Sequence, residues 1–265
     1  MDTHKKDFGI SPLVVLIVYL VCSLLIVTNA QASTKSKCGK YDSVSVTANG
    51  GNYRVSNNIW NGSSRSQCIE VDDRTGAFAV TASSHRKPTD GAPASYAFIA
   101  VGCHWNECTD SGKNGLPRKV SSVSAVSSSW STIQPEHGVY NVAYDIWFSR
   151  TSRVTGQPDG AEMMIWLARN GNIQPVGSRV AEAVRLDDAT WDVWYGWNGK
   201  NNVISYVRTS NTDGVDDLDL KAFIADAADR KFIQTSWYVT SIEAGFEIWQ
   251  GSAGLASNSF SVNLN

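Results

Sequence analysis

The 265-residue sequence has few charged side chains: Asp, Glu, Lys and Arg together make up 18%, and the formal net charge is −2. No segment is basic enough to indicate a nucleic-acid-binding surface, which depends on clustered Lys and Arg. Tryptophan, by contrast, occurs 10 times. A chain poor in charge and rich in indole favours a neutral ligand that is bound by aromatic faces over a phosphate-rich one.

The sequence also lacks the short motifs of several large enzyme classes. It contains no G-x-S-x-G segment, no H-E-x-x-H pair, no nucleotide-binding phosphate loop and no G-x-G-x-x-G dinucleotide fingerprint. Only four histidines are present, and no motif places one of them in a Ser-His-Asp triad. We therefore expect neither a cofactor nor a catalytic metal.

The N-terminal segment is typical of an export signal. His4-Lys5-Lys6 forms a basic start, Leu13–Val27 is almost entirely apolar, and Ala30-Gln31-Ala32 fits the small-x-small cleavage rule. The sequence therefore predicts a signal peptide over residues 1–32 and a secreted, extracellular domain over residues 33–265. The alternative is an uncleaved membrane anchor, although the strictly apolar run is short for a full span.

Five cysteines are present, and Cys22 lies in the predicted signal peptide. The remaining four form an even set in an exported chain, which favours disulfides. Four cysteines allow three pairings; Cys103 and Cys108 are close enough to close a short loop, which leaves Cys38 with Cys68. A metal site is disfavoured because there is no C-x-x-C pair and only His104 is nearby.

From Tyr41 onward, short segments rich in β-forming residues recur at regular spacing between Gly, Asn, Ser and Pro. With about 233 residues left after the signal, this pattern predicts one all-β sandwich domain without repeats or linkers. One helix is expected between Val215 and Phe232, with Asp216, Asp217 and Asp219 near its start. The predicted strands include Ser43–Val46, Tyr53–Val55, Ala77–Val80, Tyr96–Val101, Val120–Val126, Trp191–Tyr195, Val203–Val207 and Ser259–Leu264.

Three further segments combine an acid with tryptophan on one face of a strand. Alternate residues of a strand share a face, so each segment has an apolar side and a side that carries carboxylate and indole. If the three strands lie in one sheet, they form a groove of the kind that binds carbohydrate. The acid-bearing faces are Glu162, Met164 and Trp166; Asn141, Ala143, Asp145 and Trp147; and Glu243, Gly245, Glu247 and Trp249.

Glu162 and Glu247 are the candidates for paired catalytic carboxyls. A retaining glycosidase needs two carboxyl groups about 5–5.5 Å apart, one as nucleophile and one as acid and then base. Asp145, close to Glu162, would share a proton with it or accept a hydrogen bond. The competing interpretation makes Glu162 a surface residue at a strand end and Asp145 a hydrogen-bonding strand terminus.

These segments resemble the signature segments of glycoside hydrolase family 12, the small endoglucanases, in their bacterial-type branch. The similarity runs in order from about Cys38 to the C terminus. The matching segments are Val55–Trp60, Gly102–Cys108, Asn141–Asp145, Glu162–Leu167, Gly171–Gly177, Trp194–Gly199 and Ala244–Glu247.

The resemblance implies a β-jelly roll of two antiparallel sheets, with a concave substrate cleft and one α-helix. It implies retaining endo-hydrolysis of β-1,4-glucan, with Glu162 as nucleophile, Glu247 as acid/base and Asp145 as hydrogen-bond partner of the nucleophile. Alternatives are a xyloglucan-specific or mixed-linkage endo-glucanase, or a non-catalytic carbohydrate-binding jelly roll. The expected partner is a β-glucan bound by a monomer, without nucleic acid and without membrane attachment after signal cleavage.

The resemblance also implies a set of substrate-binding residues along the cleft. Trp60 is expected to stack on a glucosyl unit, and His104 and Trp105 to lie in a loop at the cleft edge. The disulfides Cys38–Cys68 and Cys103–Cys108 fit the same pattern. The full set of expected binding residues is Asn58, Trp60, His104, Trp105, Met164, Trp166, Gln174, Pro175, Trp197 and Asn198.

Two details depart from the family pattern. Glu243 stands where relatives usually carry Gln, and a cleft-facing charge there would tend to raise the pKa of Glu247, although four positions along a strand is far for strong coupling. Ile248-Trp249 replaces a Pro-aromatic pair, which is expected to reshape the wall beside Glu247. Both differences bear on substrate preference.

Overall fold

The structure is a computed structural model that describes residues 1–3, 33–48, 50–109 and 115–265. Ala32–Asn265 forms one compact unit. The predicted signal peptide and its cleavage site fall almost wholly on residues 4–32, which lie outside the described residues. Among the described residues, no helix has the length and apolar character needed to cross a membrane.

The described chain is built mainly from strands, which form two sheets. The smaller sheet has the order β1-β4-β5-β17-β9-β15, with bounds β1 Thr34–Lys37, β4 Gln67–Asp72, β5 Phe78–Ser83, β17 Ala256–Leu264, β9 Val126–Ile133 and β15 Gly214–Asp219. The larger has the order β12-β13-β14-β11-β10-β16-β6-β3-β2, with bounds β12 Ser178–Leu186, β13 Ala189–Trp197, β14 Asn202–Arg208, β11 Ala161–Asn170, β10 Val139–Ser149, β16 Tyr238–Gln250, β6 Ser95–His104, β3 Gly51–Ser56 and β2 Ser43–Ala48. Two short strands flank this path: β7 Glu107–Cys108 pairs with β6, and β8 Arg118–Lys119 pairs with β16.

The core lies between the two sheets and confirms the predicted alternation. Tyr144 and Ile146 of β10, Ile165 of β11 and Phe246 of β16 are buried in one continuous cluster. The ring of Phe246 lies 5.8 Å from that of Trp130, which β9 contributes from the smaller sheet. The molecule is therefore a two-sheet jelly roll, and the acid-bearing faces of β10, β11 and β16 point away from its core.

The helix is shorter than the sequence predicts. Helix α1 covers Leu220–Asp229, whereas the residues just before it form β15 and pair with β9. Asp219 caps the helix, because its carboxylate accepts from the backbone amides of the first turn. Phe223 then packs edge-on against Trp191 at 4.9 Å. The prediction was wrong for Val215–Asp219 because exposed acids are compatible with an edge strand as well as with a helix start.

Two other predictions differ from the structure. The predicted strand Val120–Val126 is a single 3-10 turn, Val120–Ser122, and the chain pairs only from Val126 onward. Strand β12 was not predicted because its residues are mostly exposed and show no apolar alternation. It pairs only with β13, at the edge of the larger sheet.

Candidate active site

A cleft of about 900 Å³ lies on the face of the larger sheet that points away from the core. Every predicted catalytic residue lines it, and so do nine of the ten predicted binding residues. Those that line the cleft are Asn58, Trp60, His104, Trp105, Asp145, Glu162, Met164, Trp166, Gln174, Pro175, Asn198 and Glu247.

Strand β10 lies between the two strands that carry the glutamates, so their positions can be compared along it. Glu247 of β16 is paired with Asn141, and Glu162 of β11 is paired with Trp147, on opposite edges of β10. Positions 141 and 147 would lie about 20 Å apart along a flat strand. Both glutamates nevertheless line one cleft, and the charge of Glu247 raises the pKa of Glu162. Twist and concave curvature of the sheet therefore bring the two carboxyls within electrostatic range.

The Glu162 carboxyl is partly exposed to the cleft and accepts a hydrogen bond of 2.8 Å from the Asn198 side-chain amide. Desolvation is the largest cause that raises its pKa, to about 8, followed by the charge of Glu247. The charge of Glu243 acts in the same direction, whereas the Asn198 bond lowers the pKa. With the cleft open to water, Glu162 therefore holds a proton readily.

The Glu247 carboxyl is held by Asn141, the residue paired with it on β10. The Asn141 amide donates to Glu247 Oε2 at 2.5 Å, and its carbonyl oxygen accepts from the Glu247 backbone N–H at 3.1 Å. Burial raises the pKa of Glu247 to about 7, and the Asn141 bond opposes that rise. The expected effect of Glu243 on Glu247 is not seen, because Glu243 acts on the pKa of Asp145 and of Glu162 instead.

Asp145 is only 6% exposed and lies between the two glutamate-bearing strands. Its Oδ2 accepts from the Trp147 indole N–H at 3.0 Å, and its Oδ1 has no hydrogen-bond partner among the described residues. Burial raises the pKa of Asp145 well above its ordinary value, and the charges of Glu162, Glu243 and Glu247 add to this rise. Burial therefore favours the protonated, neutral form of Asp145, which can donate a hydrogen bond.

Aromatic side chains lie at the cleft edge. Trp60 is 43% exposed and lines the cleft, so its indole face is open to a ligand. Trp105 sits at the tip of the β6–β7 hairpin, which the Cys103–Cys108 disulfide closes. Its φ of 52° is uncommon for a bulky residue, and such outliers cluster at ligand-binding sites. Its ring lies 4.3 Å from that of His104.

The wall beside Glu247 is formed by the loop over residues 89–93, which Trp249 holds in place. The Trp249 indole donates to the carbonyl oxygen of Gly91 at 2.6 Å, and the backbone N–H of Ala94 donates to Ile248 at 2.8 Å. Trp249 also packs against Trp166, with ring centroids 6.5 Å apart. The Ile248-Trp249 pair thus anchors this wall to the sheet.

One predicted binding residue does not lie in the cleft. Trp197 is 58% exposed and is absent from the lining. It ends β13 on the same face as Trp191 and Val193, whose side chains enter the core. Strand alternation therefore directs Trp197 away from the cleft, while its neighbour Asn198 reaches Glu162. The binding role of Trp197 stays a prediction, and the motif match alone does not distinguish adjacent positions that point to opposite faces.

Sequence reasoning left several cleft residues without a role. Asn141 and Trp147 share the cleft face of β10 with Asp145, and that parity alone could have identified them as partners of the acids. Tyr96 lines the cleft beside Glu247 on β6. The loop over residues 89–93 has no periodicity, and nothing in its sequence indicates that it forms a wall.

The described residues contain no group of three or more His, Cys, Asp or Glu side chains able to hold a metal ion. The four predicted cysteines are joined as Cys38–Cys68 and Cys103–Cys108. Two carboxyl groups, those of Glu162 and Glu247, line the same cleft among aromatic side chains, and such a pair can supply a nucleophile and an acid.

Comparison with known proteins gives consistent matches. The model of glycosyl hydrolase family 12 matches residues 51–265. A xyloglucan-specific endo-β-1,4-glucanase A from Emericella nidulans is 33% identical over 93% of this chain and 99% of its own. Among solved structures, a metagenome-derived family 12 endoglucanase has a TM-score of 0.82 at 42% identity, over 88% of this chain and 99% of its own. Endoglucanase cel12A from Rhodothermus marinus has a TM-score of 0.81 at 46% identity, over 87% and 99%.

Proposed function

The chain belongs to glycosyl hydrolase family 12, and from that membership we propose that it is a retaining endo-β-1,4-glucanase that cleaves internal bonds of unsubstituted β-glucan. The observation that carries this proposal is the pair Glu162 and Glu247, which face one open cleft from strands on either side of β10. A protein that only binds sugar has no need for two mutually repelling, partly desolvated carboxyls.

The roles follow the positions of the residues in the family segments. Glu162 attacks the anomeric carbon and forms a glycosyl-enzyme intermediate. Glu247 protonates the leaving oxygen and then activates the water that releases the sugar with retained configuration. We assign to Asp145, whose neutral form is favoured by burial and whose Oδ1 has no partner among the described residues, the donation of a hydrogen bond that stabilises the Glu162 carboxylate during the reaction.

Proton occupancy of the pair supports this chemistry. The mechanism needs one ionised and one protonated carboxyl, and the pKa values of about 8 and about 7 leave one proton on the pair in the intervening pH range. With water in the cleft that proton resides more on Glu162 than on Glu247. The proposed roles therefore require that a bound glucan move the proton to Glu247, while Asp145 stabilises the charge that remains on Glu162.

Two observations support the proposed preference for an unsubstituted glucan: the identities to known enzymes and the wall of the cleft. The endoglucanase structures share 42% and 46% identity with this chain, whereas the xyloglucan-specific relative shares 33%. The loop over residues 89–93 is fixed by the Trp249 bond to Gly91 and limits the space for side branches near Glu247. Xyloglucan remains the second candidate substrate because the xyloglucan-specific relative covers 93% of the chain.

We also propose that residues 1–32 direct export and that residues 33–265 act outside the cell as a monomeric catalytic domain. The basic start, the apolar run and the Ala-x-Ala site of the sequence support the first part. An N terminus at Ser33 in the secreted protein would agree with it.

The test compares wild type with Glu162→Gln on carboxymethylcellulose, mixed-linkage glucan and xyloglucan. We expect wild type to release sugars fastest from the unbranched glucans, with the β-anomer formed first in the proton NMR spectrum. Glu162→Gln should lose at least a thousandfold in kcat and still bind cello-oligosaccharides, because the amide keeps the shape of the side chain and its bond to Asn198. Undiminished hydrolysis by Glu162→Gln, or faster cleavage of xyloglucan, would contradict the assignment or the preference respectively.

A further inference from the structure

A third glutamate lies beside the catalytic pair without a part in the proposed reaction. Glu243 of β16 is fully buried. Its Oε1 accepts hydrogen bonds from the Ser241 hydroxyl at 2.8 Å and from His104 Nδ1 at 2.7 Å. Because a carboxylate only accepts, the His104 proton is assigned to Nδ1. The second oxygen, Oε2, is buried and has no hydrogen-bond partner among the described residues.

A second buried carboxyl oxygen without a hydrogen-bond partner among the described residues lies on the adjacent strand, β10. Asp145 is directly opposite Glu243 in the β10–β16 register. Side chains so opposed have Cβ atoms about 4.5–5.5 Å apart and share a face of the sheet. Asp145 Oδ1 is likewise buried without a partner among the described residues. Two desolvated carboxyls at this separation do not both ionise, since like charges repel strongly where water is excluded.

The hydrogen-bond donors decide which of the two carries the charge. Glu243 accepts from two donors, and the Arg54 guanidinium is close enough for the two charges to attract. Within the described part of the chain, Asp145 accepts only the indole N–H of Trp147. Donors stabilise a carboxylate, so the charge belongs on Glu243 and the proton on Asp145.

We propose that Glu243 is a positioning residue for the reaction: fixed by His104 and Ser241, it places its carboxylate opposite Asp145 across the β10–β16 ladder and thereby keeps Asp145 in the neutral state that donates toward Glu162. This inference rests on the proposed function of Glu162 as nucleophile. Glu243 itself does not touch the substrate, because it is fully buried, and it acts through the charge that it presents to Asp145 and Glu162.

Charged and titratable side chains from several strands surround Glu243. The charge of Glu243 raises the pKa of Asp145 and of Glu162. Removing that charge should therefore lower both values. The titratable and charged groups around Glu243 are His104 and Tyr96 on β6, Arg54 on β3 with its ion-pair partner Glu107 on β7, Asp145 on β10, Glu162 on β11, and Glu247 on β16 itself.

The first experiment measures kcat/KM against pH for wild type and Glu243→Gln on a soluble β-glucan. The amide keeps an acceptor for Ser241 and His104, removes the charge and replaces the unpartnered Oε2 by an NH2 group of similar size, so the fold should persist. Because the charge of Glu243 raises the pKa of Glu162, we expect the profile to move to lower pH, by about one to two pH units for a nearby charge at an effective dielectric constant of about 20. Glu70→Gln is the matched control, since Glu70 is exposed on β4 of the other sheet, and its profile should coincide with wild type.

The second experiment detects the Asp145 proton without relying on activity. Infrared difference spectra across pH report the carbonyl stretch of protonated carboxyls, and the Glu162→Gln/Glu247→Gln double variant removes the catalytic contributions. In that background we expect a buried carboxyl that stays protonated above the pH range in which an ordinary aspartic acid titrates. Asp145→Asn should abolish its band, and Glu243→Gln should make it titrate at lower pH. A band that survives Asp145→Asn would overturn the assignment of the proton.

The two experiments separate this inference from the proposed function. If Glu162→Gln is inactive but the Glu243→Gln profile coincides with wild type, Glu243 has no such role and the proposed function stands. If wild type hydrolyses no glucan while the infrared band responds to Glu243→Gln, the effect of Glu243 on the Asp145 proton is supported and the proposed function is wrong.

Discussion

Removing the ionisable group of Glu162 should stabilise the protein at high pH. Burial and the charge of Glu247 hold the pKa of Glu162 at about 8, above its ordinary value of 4.5. A carboxyl whose pKa is raised on folding contributes stability that is fully present below the unfolded pKa and is lost as pH rises through the folded pKa. Wild type should therefore lose stability between about pH 4.5 and pH 8. Glu162→Gln does not titrate and should not show this loss.

The size of the effect follows from the same values. A pKa difference of about 3.5 corresponds to roughly 5 kcal/mol for a fully desolvated group. Glu162 is partly exposed to the cleft, so water screens its charge, and we expect roughly 1–2 kcal/mol at pH 9. For a domain of this size that difference raises Tm by about 2–8 °C.

The assay is thermal unfolding of wild type, Glu162→Gln and the Glu70→Gln control at pH 5 and pH 9. Glu162→Gln should match wild type at pH 5, where the glutamate is protonated and the Asn198 bond is kept, and should melt higher at pH 9. Equal melting at pH 9 would refute the argument that burial raises the pKa of Glu162. A gap that is already present at pH 5 would show that the substitution acts through packing.

Two further predictions concern individual contacts in the cleft. Asn198→Ala removes the bond that lowers the pKa of Glu162, which at about 8 is the higher of the pair, so the alkaline limb of the kcat/KM profile should move to higher pH and kcat should fall about tenfold; an unmoved limb would show that the bond has no such role. Trp60→Ala removes an open stacking face, so KM for cello-oligosaccharides should rise about 3- to 10-fold with kcat nearly constant, as measured by initial rates; a fall in kcat alone would contradict stacking.

Strand alternation predicted the large-scale arrangement well. The parity of β10, β11 and β16 separated core residues such as Ile146 and Phe246 from acids such as Asp145, and the structure follows that division. Alternation is reliable here because these strands lie between a packed core and a solvated cleft, so each side chain has one suitable face. The exposed strand β12 lacks this contrast and was missed.

The contacts within the cleft could not be predicted from the sequence of single strands, because they depend on strand register and on long-range hydrogen bonds. The opposition of Asp145 and Glu243 is a property of register between β10 and β16, which periodicity within either strand does not specify. We expected Glu243 to affect Glu247 because the two lie four positions apart on one strand. The carboxyl directly opposite Glu243 is instead that of Asp145, on the neighbouring strand. The walls depend on single long-range contacts, such as the Trp249 bond to Gly91.

The large register offset between Glu162 and Glu247 along β10 has a consequence for how the protein loses activity on heating. Their meeting depends on the bend of a whole sheet, and that bend is maintained by side chains on its reverse side, such as Phe246 against Trp130. Loosening this interior packing would flatten the sheet slightly and separate the carboxyls, although every cleft residue remains in place. Turnover is therefore expected to fade during heating before the backbone melts, and interior substitutions are a route to slower or faster variants that leave the cleft untouched.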